Sequence, residues 1–222
     1  MIDIGLWTAD FCSALESTFP GRVCFVGLQG SYSRGEATDT SDIDMVVILD
    51  ELSYGDVQRY SAMLDGLPHR ELACGFLSCR SDLKNWDVSD LFRLYHDTVP
   101  IKGDLAGLIP EITEEDIRRA VKTGLCNIYH ICVHNSIYGK KLRTLKGLYK
   151  SASFVVQAIV FLQTGEFIRY QTELLERAEA PEKPIIKAFL RLKGGEEPEL
   201  EELSRLLLEW AKFRLNDRDE NI

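Results

Sequence analysis

The sequence lacks a long apolar run, a paired-cysteine motif and any low-complexity tract. The longest apolar stretch runs from Phe154 to Leu162, is interrupted by Gln157, and is too short to cross a bilayer. Six cysteines are scattered along the chain without a C-x-x-C pair, a pattern typical of reduced thiols. No targeting segment stands out. We therefore expect a cytoplasmic protein that does not associate with membranes.

An excess of positive charge is also missing. The 222 residues include 26 Lys and Arg against 35 Asp and Glu, and the formal net charge is −9. Binding of long nucleic acids relies on a basic surface, so this balance disfavours them as substrates. A cationic or small neutral partner suits the charge better. The 45% hydrophobic and 27% charged composition is that of a globular protein with one large or two small domains.

The stretch from Val23 to Asp50, VCFVGLQGSYSRGEATDTSDIDMVVILD, carries the strongest functional pattern. Its apolar beginning predicts a buried strand that ends in a glycine turn at Gly30. The continuous apolar run from Met45 to Leu49 predicts a central strand covered on both faces. Side chains alternate along a strand, so Asp42 and Asp44 should project to the same face.

That spacing suits phosphoryl-transfer chemistry. Two carboxylates about 6 to 7 Å apart along a strand can hold divalent ions. Mg²⁺ prefers oxygen ligands and usually takes one or two carboxylates together with substrate phosphates. Gly30 allows the backbone to approach a phosphate closely, and Ser31 offers a hydroxyl and an amide at the start of the next helix. The pattern predicts metal carboxylates beside an anion-binding turn.

The segment GSYSRGEATDTSDIDMVV resembles the signature of the DNA polymerase β-like nucleotidyltransferase superfamily, Gly-Ser followed by about ten residues and Asp-apolar-Asp. It is similar to small bacterial enzymes of aminoglycoside or kanamycin type and to minimal nucleotidyltransferase antitoxins. Gln29 and Ser33 depart from the usual pattern. The resemblance implies an α+β fold with a mixed sheet, two Mg²⁺ ions on Asp42 and Asp44, and nucleotide binding by a set of residues on the same segment: Gly30, Ser31, Arg34 and Ser41.

The superfamily usually carries a third carboxylate on the next strand, which we predict from Arg70 to Ser78. Glu71 is the only acid within that strand, so it is the candidate for third metal ligand or general base. Asp82 is the alternative, although Ser81-Asp82 is more typical of a helix start. A non-catalytic module that has lost this carboxylate is a further alternative.

From about residue 108 the apolar pattern becomes helical throughout, and it predicts five successive helices. We expect a catalytic domain over residues 1–107 and a helical bundle over residues 108–222. The stretch SASFVVQAIVFLQTGEF resembles the C-terminal domain of kanamycin-type nucleotidyltransferases and related HEPN-like bundles. The resemblance implies that Lys150, predicted at the start of a helix, reaches the triphosphate across the cleft between the domains.

These observations predict a Mg²⁺-dependent enzyme that transfers a nucleoside monophosphate from an NTP, ATP by preference, to a hydroxyl of a small acceptor. An aminoglycoside-like antibiotic would suit an acidic cleft. The alternatives are a protein hydroxyl, as in antitoxins that adenylylate a HEPN toxin, and a nucleotide-binding module without activity. Whether the chain forms a homodimer is left open.

Overall fold

The computed structural model describes residues 2–39 and 41–217. The chain divides into two compact units between Glu111 and Ile112. This division lies four residues beyond the boundary expected from the sequence. The short 3₁₀ helix Ala106–Leu108 contacts a helix of the first unit, which keeps the intervening segment with that unit.

The first unit contains a four-stranded sheet with helices. In chain order its elements are α1 (Ile4–Thr18), β1 (Val23–Gln29), α2 (Gly30–Ser33), β2 (Ile43–Leu49), α3 (Tyr54–Asp65), β3 (Ala73–Cys79), α4 (Arg80–Lys84), α5 (Val88–Asp97) and β4 (Val99–Lys102). The strands are ordered β3-β2-β1-β4. β1 pairs with β2 and β4 in antiparallel fashion, whereas β2 and β3 are parallel. The sheet is therefore mixed, and the α+β prediction is confirmed.

β2 is the central strand that its apolar sequence predicts. Met45 to Leu49 are at most 1% exposed, and Ile43 is fully buried. Alternate residues of β2, Ile43, Met45, Val47 and Leu49, pack in one cluster with the buried face of α1, which presents Trp7, Phe11 and Leu15 at helical spacing. Burial of a side chain of this size stabilises a fold by about 1.5–3 kcal/mol. The core thus fixes the strand whose first residues carry the candidate carboxylates.

The second unit consists of helices. They are α6 (Glu114–His134), a π-helical turn (Asn135–Gly139), α7 (Leu142–Thr164), α8 (Gln171–Arg177), α9 (Lys183–Lys193) and α10 (Leu200–Asn216). α6 begins with a capping box, in which Thr113 and Asp116 each accept from the other's backbone amide.

α7 starts at Leu142, well before Lys150, at which the sequence predicts a helix start. Leu145, Leu148 and Tyr149 are buried, so the apolar face of the helix extends back to its first turns. By length and composition α7 could be considered for a membrane span, but 61% of its most apolar window is buried within the protein. α7 is accordingly the core helix of the second unit.

Candidate active site

The glycine turn and the second carboxylate of β2 lie against each other. Gly30 has a φ of +73°, a left-handed conformation that favours glycine. A Cβ added to Gly30 would come within 2.2 Å of Asp44 Oδ2. Because no side chain fits between them, the turn after β1 brings its backbone directly onto the Asp44 carboxylate.

Of the two predicted metal carboxylates, Asp44 is the second residue of β2 and Asp42 comes immediately before the strand. Ile43 between them is buried, so alternation along β2 turns Asp44 away from that core. Asp42 is exposed, and Asp44 is half-buried and pairs with Gln29 across the antiparallel ladder. The structure places Asp44 against the turn at Gly30, whereas the joint role of Asp42 and Asp44 as metal ligands stays a prediction.

The two serines differ in their surroundings. Ser31 lies in the single turn of α2, and its carbonyl accepts from the amide of Glu36 at 2.9 Å. Ser41 Oγ accepts from the backbone amide of Thr38 at 2.8 Å. Ser41 thus closes the loop that leads into β2, which holds the residue just before Asp42 in place.

A cavity of about 350 Å³ opens in front of Asp44. Gln29, Asp44 and Cys74 are paired across β1, β2 and β3, so their side chains form one row, and all three line the cavity. Gly75 follows with a φ of +135°, and an added Cβ would meet the Met45 carbonyl at 1.9 Å. Only glycine fits beside β2 at this point, and Cys74 is exposed next to it.

The rest of the wall combines an aromatic pair with charged groups. Phe76 and Trp86 contact edge to face, with ring centroids 5.4 Å apart. Asp90 and Arg93 reach the cavity from α5. An apolar wall with a few convergent polar groups is typical of a small-molecule site. Sequence reasoning missed this contribution of α5, because its residues showed only the pattern of an amphipathic helix.

The prediction for Glu71 is wrong in its structural premise. Glu71 lies in a 3₁₀ turn, Arg70–Leu72, that precedes β3, and its side chain is 72% exposed near His69. The partner of Asp44 on β3 is Cys74, which comes three residues after Glu71. Because side chains alternate along a strand, a strand extended back to residue 71 would place that residue on the face opposite to Cys74. Within residues 2–39 and 41–217 no three His, Cys, Asp or Glu side chains are grouped to hold a metal ion. Asp82 is no substitute, because it is an exposed residue of α4.

Arg34 is held by carboxylates of the protein. Its Nη1 donates to Asp97 Oδ1 at 2.7 Å, and its Nε lies 3.5 Å from Glu36 Oε2. The side chain is 12% exposed. This placement is typical of a guanidinium that ties elements together, here α2 to the end of α5, and does not match the phosphate-binding role that we predicted for it.

Lys150 is an exposed residue in the third turn of α7. The expectation that it begins a helix is wrong, because the helix starts at Leu142. Its contact with a triphosphate stays a prediction.

The donor set fits a divalent ion that arrives with a nucleotide. Asp42 and Asp44 can supply carboxylate oxygens, and the backbone of the Gly30 turn lies against Asp44. Mg²⁺ commonly uses only one or two carboxylates and completes its shell with phosphates and water. Cys74, the neighbour of Asp44 on β3, is a soft sulfur ligand that Mg²⁺ does not favour. The protein thus offers two of the ligands, and the remainder would come from the substrate.

The family is established by comparison with known proteins. A family model described as a nucleotidyltransferase domain matches residues 12–127, which is 116 of the 222 residues. The matched residues include β1, the turn at Gly30 and β2. The chain belongs to the nucleotidyltransferase domain family.

Two individual proteins are similar to the chain. The crystal structure of spectinomycin adenyltransferase AAD(9) from Enterococcus faecialis, with ATP and spectinomycin, matches with a TM-score of 0.62 and 16% identity, covering 95% of this chain and 98% of that one. At this identity the match shows a common fold. A Methanocaldococcus jannaschii protein named as a candidate protein adenylyltransferase is 44% identical over 41 residues, 18% of this chain. The chain spans less than half, 41%, of that relative's length.

Proposed function

We propose that this chain transfers a nucleoside monophosphate, with ATP as the donor, to a hydroxyl group of a small molecule. The observation that carries the proposal is the contact of the Gly30 turn with the Asp44 carboxylate at the mouth of a cavity. A carboxylate that could hold a metal, a turn that could hold phosphates and a cavity that could admit an acceptor adjoin one another there, which supports the proposal. The family membership supports the reaction class.

Five residues of the segment from Gly30 to Asp44 have a role in the proposed reaction. Asp42 and Asp44 would hold Mg²⁺, one or two ions, through their carboxylate oxygens. A bound ion supplies charge neutralisation at the phosphates for in-line displacement. Gly30 and Ser31 offer backbone amides to phosphate oxygens, and Ser41 keeps the approach to Asp42 in shape through its bond to Thr38.

Asp90 is our candidate for the group that accepts the proton of the acceptor hydroxyl. The cavity wall includes two carboxylates, Asp44 and Asp90. Asp44 is assigned to the metal, so Asp90 is the one left to act as a base, in the role first expected of Glu71. A positioned general base typically contributes about 10² to 10⁴ in rate.

The cavity also indicates the kind of acceptor. Its volume of about 350 Å³ suits a molecule of one or two rings. The Phe76–Trp86 pair can pack against a sugar or cyclitol ring, and Asp90 can attract an ammonium group. An aminoglycoside or aminocyclitol has both features. The spectinomycin bound in the similar structure is consistent with this class.

The test is incubation with ATP labelled in its α-phosphate, Mg²⁺ and a panel of aminoglycosides and aminocyclitols. We expect label on at least one of them and release of pyrophosphate. Label on a polypeptide added from a lysate, with none on the panel, would show that the acceptor is a protein. The match to the archaeal protein favours that second candidate.

A non-catalytic nucleotide-binding module is the third candidate. It is favoured by Cys74, which leaves β3 without a carboxylate beside Asp44. Binding of Mg-ATP without transfer to either kind of acceptor would support it and contradict the enzymatic proposal.

A further inference from the structure

A buried carboxylate, Asp97, lies at the end of α5. Its side chain is 3% exposed. Oδ1 accepts the bond from Arg34, whereas Oδ2 has no hydrogen-bond partner within the described part of the chain. Arg93, one helical turn earlier, places its Nη2 4.0 Å from this oxygen. A buried carboxylate oxygen without a hydrogen bond is costly, so the charge of Arg93 matters for keeping it there.

The two arginines that meet at Asp97 differ in what else they face. Arg34 is 12% exposed and lies between two carboxylates, Asp97 and Glu36. Arg93 is 48% exposed and lines the same cavity as Asp44. Arg34, which the sequence predicts to bind phosphates, is thus the more buried of the two arginines. Arg93, for which the sequence predicts no role, is the more exposed one.

The electrostatics connect Arg93 with the candidate metal site. The pKa of Arg93 is lowered, chiefly because the guanidinium is partly removed from water, and the positive charge of Arg34 lowers it further. The negative charges of Asp97 and Asp44 act in the opposite direction and raise it. Arginine nevertheless remains charged, because its ordinary pKa is far above neutrality. Arg93 therefore brings a permanent positive charge within electrostatic reach of Asp44, and it is the only cation among the described residues of the cavity wall.

If Asp44 held the ion of a Mg-nucleotide, the phosphates of that nucleotide would lie at the cavity that Arg93 also lines. The planar guanidinium of Arg93 can donate two parallel hydrogen bonds to phosphate oxygens. Arg93 lies four residues before Asp97 on α5, so the two side chains are neighbours on the same face of the helix. The buried carboxylate of Asp97 can therefore orient the Arg93 side chain.

We propose that Arg93 binds phosphate oxygens of the nucleoside triphosphate, that Asp97 is the positioning residue that orients it, and that Arg34 is a structural tie between α2 and α5. This inference rests on the proposed function and specifies which cation serves the same site.

The experiment is calorimetric titration of Mg-ATP into wild type, Arg93→Gln and the matched control Arg70→Gln. Arg70 is a comparably exposed arginine of the same unit, paired with Asp65 outside the cavity. Arg93→Gln should weaken Mg-ATP binding about 10- to 100-fold, the range expected for a charge-assisted hydrogen bond. Arg70→Gln should bind as wild type does, and Arg93→Lys should recover part of the loss.

Two further ligands make the test specific. Adenosine, which lacks phosphate, should bind Arg93→Gln and wild type equally; an equal loss for adenosine and ATP would overturn the phosphate contact. Inorganic tripolyphosphate that binds as tightly as Mg-ATP would overturn the assignment to a nucleotide. Wild-type binding of Mg-ATP retained in Arg93→Gln contradicts this inference alone, whereas no binding by the wild type contradicts the proposed function as well.

The role of Asp97 is tested by a double-mutant cycle on Mg-ATP affinity. If Asp97 acts through Arg93, Asp97→Asn should weaken binding in the wild-type background and have no further effect in Arg93→Gln. Additive losses would contradict positioning. Thermal unfolding of each variant identifies any that fails to fold, in which case Asp97→Glu, which retains the charge, is used in the cycle.

Discussion

The neighbouring strands β2 and β3 run parallel in one sheet but differ in burial and chemistry. β2 is buried from Met45 to Leu49, carries Asp44 as its second residue and directly follows Asp42. β3 is exposed at Cys74 and Gly75, where it borders the cavity. The comparison shows that the acidic chemistry of this sheet belongs to β2, whereas β3 contributes a wall. The further charged groups come from α5.

The largest effect is expected on β2. Asp44→Asn should abolish detectable nucleotidyl transfer, because the amide cannot hold a cation as the carboxylate does. The fold should persist, since Asp44 faces the cavity and Gly30 retains its contact. Transfer of label from ATP and circular dichroism provide the measurements. Asp10→Asn, on the exposed side of α1, is the control. Transfer at the wild-type rate by Asp44→Asn would contradict the assignment of the acidic chemistry to β2.

The second-largest effect is expected on α5, where substitution of Asp90 tests whether this helix supplies the general base that β3 lacks. Asp90→Asn should lower the rate of transfer by about 10² to 10⁴ and leave Mg-ATP affinity unchanged. Single-turnover kinetics and calorimetry separate the two quantities. Asp82→Asn, an exposed acid of α4, should have no effect. Equal rates for Asp90→Asn and wild type would remove Asp90 from the mechanism.

The turn beside β2 can be tested with two glycines of similar backbone conformation. Gly30 and Gly35 have φ values of +73° and +67°, but a Cβ would collide with Asp44 at Gly30 and meets nothing within 4 Å at Gly35. Both alanine variants should lose about 1 kcal/mol of folding free energy to backbone strain. Gly30→Ala should in addition lose about tenfold or more in Mg-ATP affinity. Chemical denaturation and calorimetry would show the difference, and identical behaviour of the two variants would contradict the contact.

The smallest effect is expected just before β3. Glu71→Gln should change the rate of transfer less than about twofold, because a side chain that is 72% exposed and outside the strand contacts neither carboxylate of β2. Steady-state kinetics at saturating ATP are sufficient. A loss of 10²-fold or more would restore Glu71 to the site and require β3 to rearrange.

Where local residues carry the signal, the sequence was sufficient to predict the structure. The glycine turn at Gly30 and the buried strand from Met45 to Leu49 were both predicted from adjacent residues, and the structure has each of them. The first residue of a helix was harder to predict from the sequence than these local features. α7 begins at Leu142 because Leu145 and Tyr149 find a buried face, and burial depends on partners that are distant along the chain.

The register of β3 was not predictable in the same way. A shift of one residue turns every side chain of a strand to the other face, and only pairing with β2 decides it. That pairing places Cys74, and not Glu71, beside Asp44. The assignment of Glu71 relied on its being the only acid nearby, which says nothing about register.

By itself the sequence determined the α+β class, the helical second half and the pair of carboxylates, because alternation, helical periodicity and glycine turns act over a few neighbouring residues. Only the tertiary structure decided that Asp90 and Arg93 share a cavity with Asp44 and that Asp97 takes Arg34 as its partner. Asp44 and Arg93 are 49 positions apart in the chain and Arg34 and Asp97 are 63 apart, and no local pattern reports such a distance. The members of each pair meet because α2, β2 and α5 belong to the same compact unit, and the packing of that unit depends on its whole core.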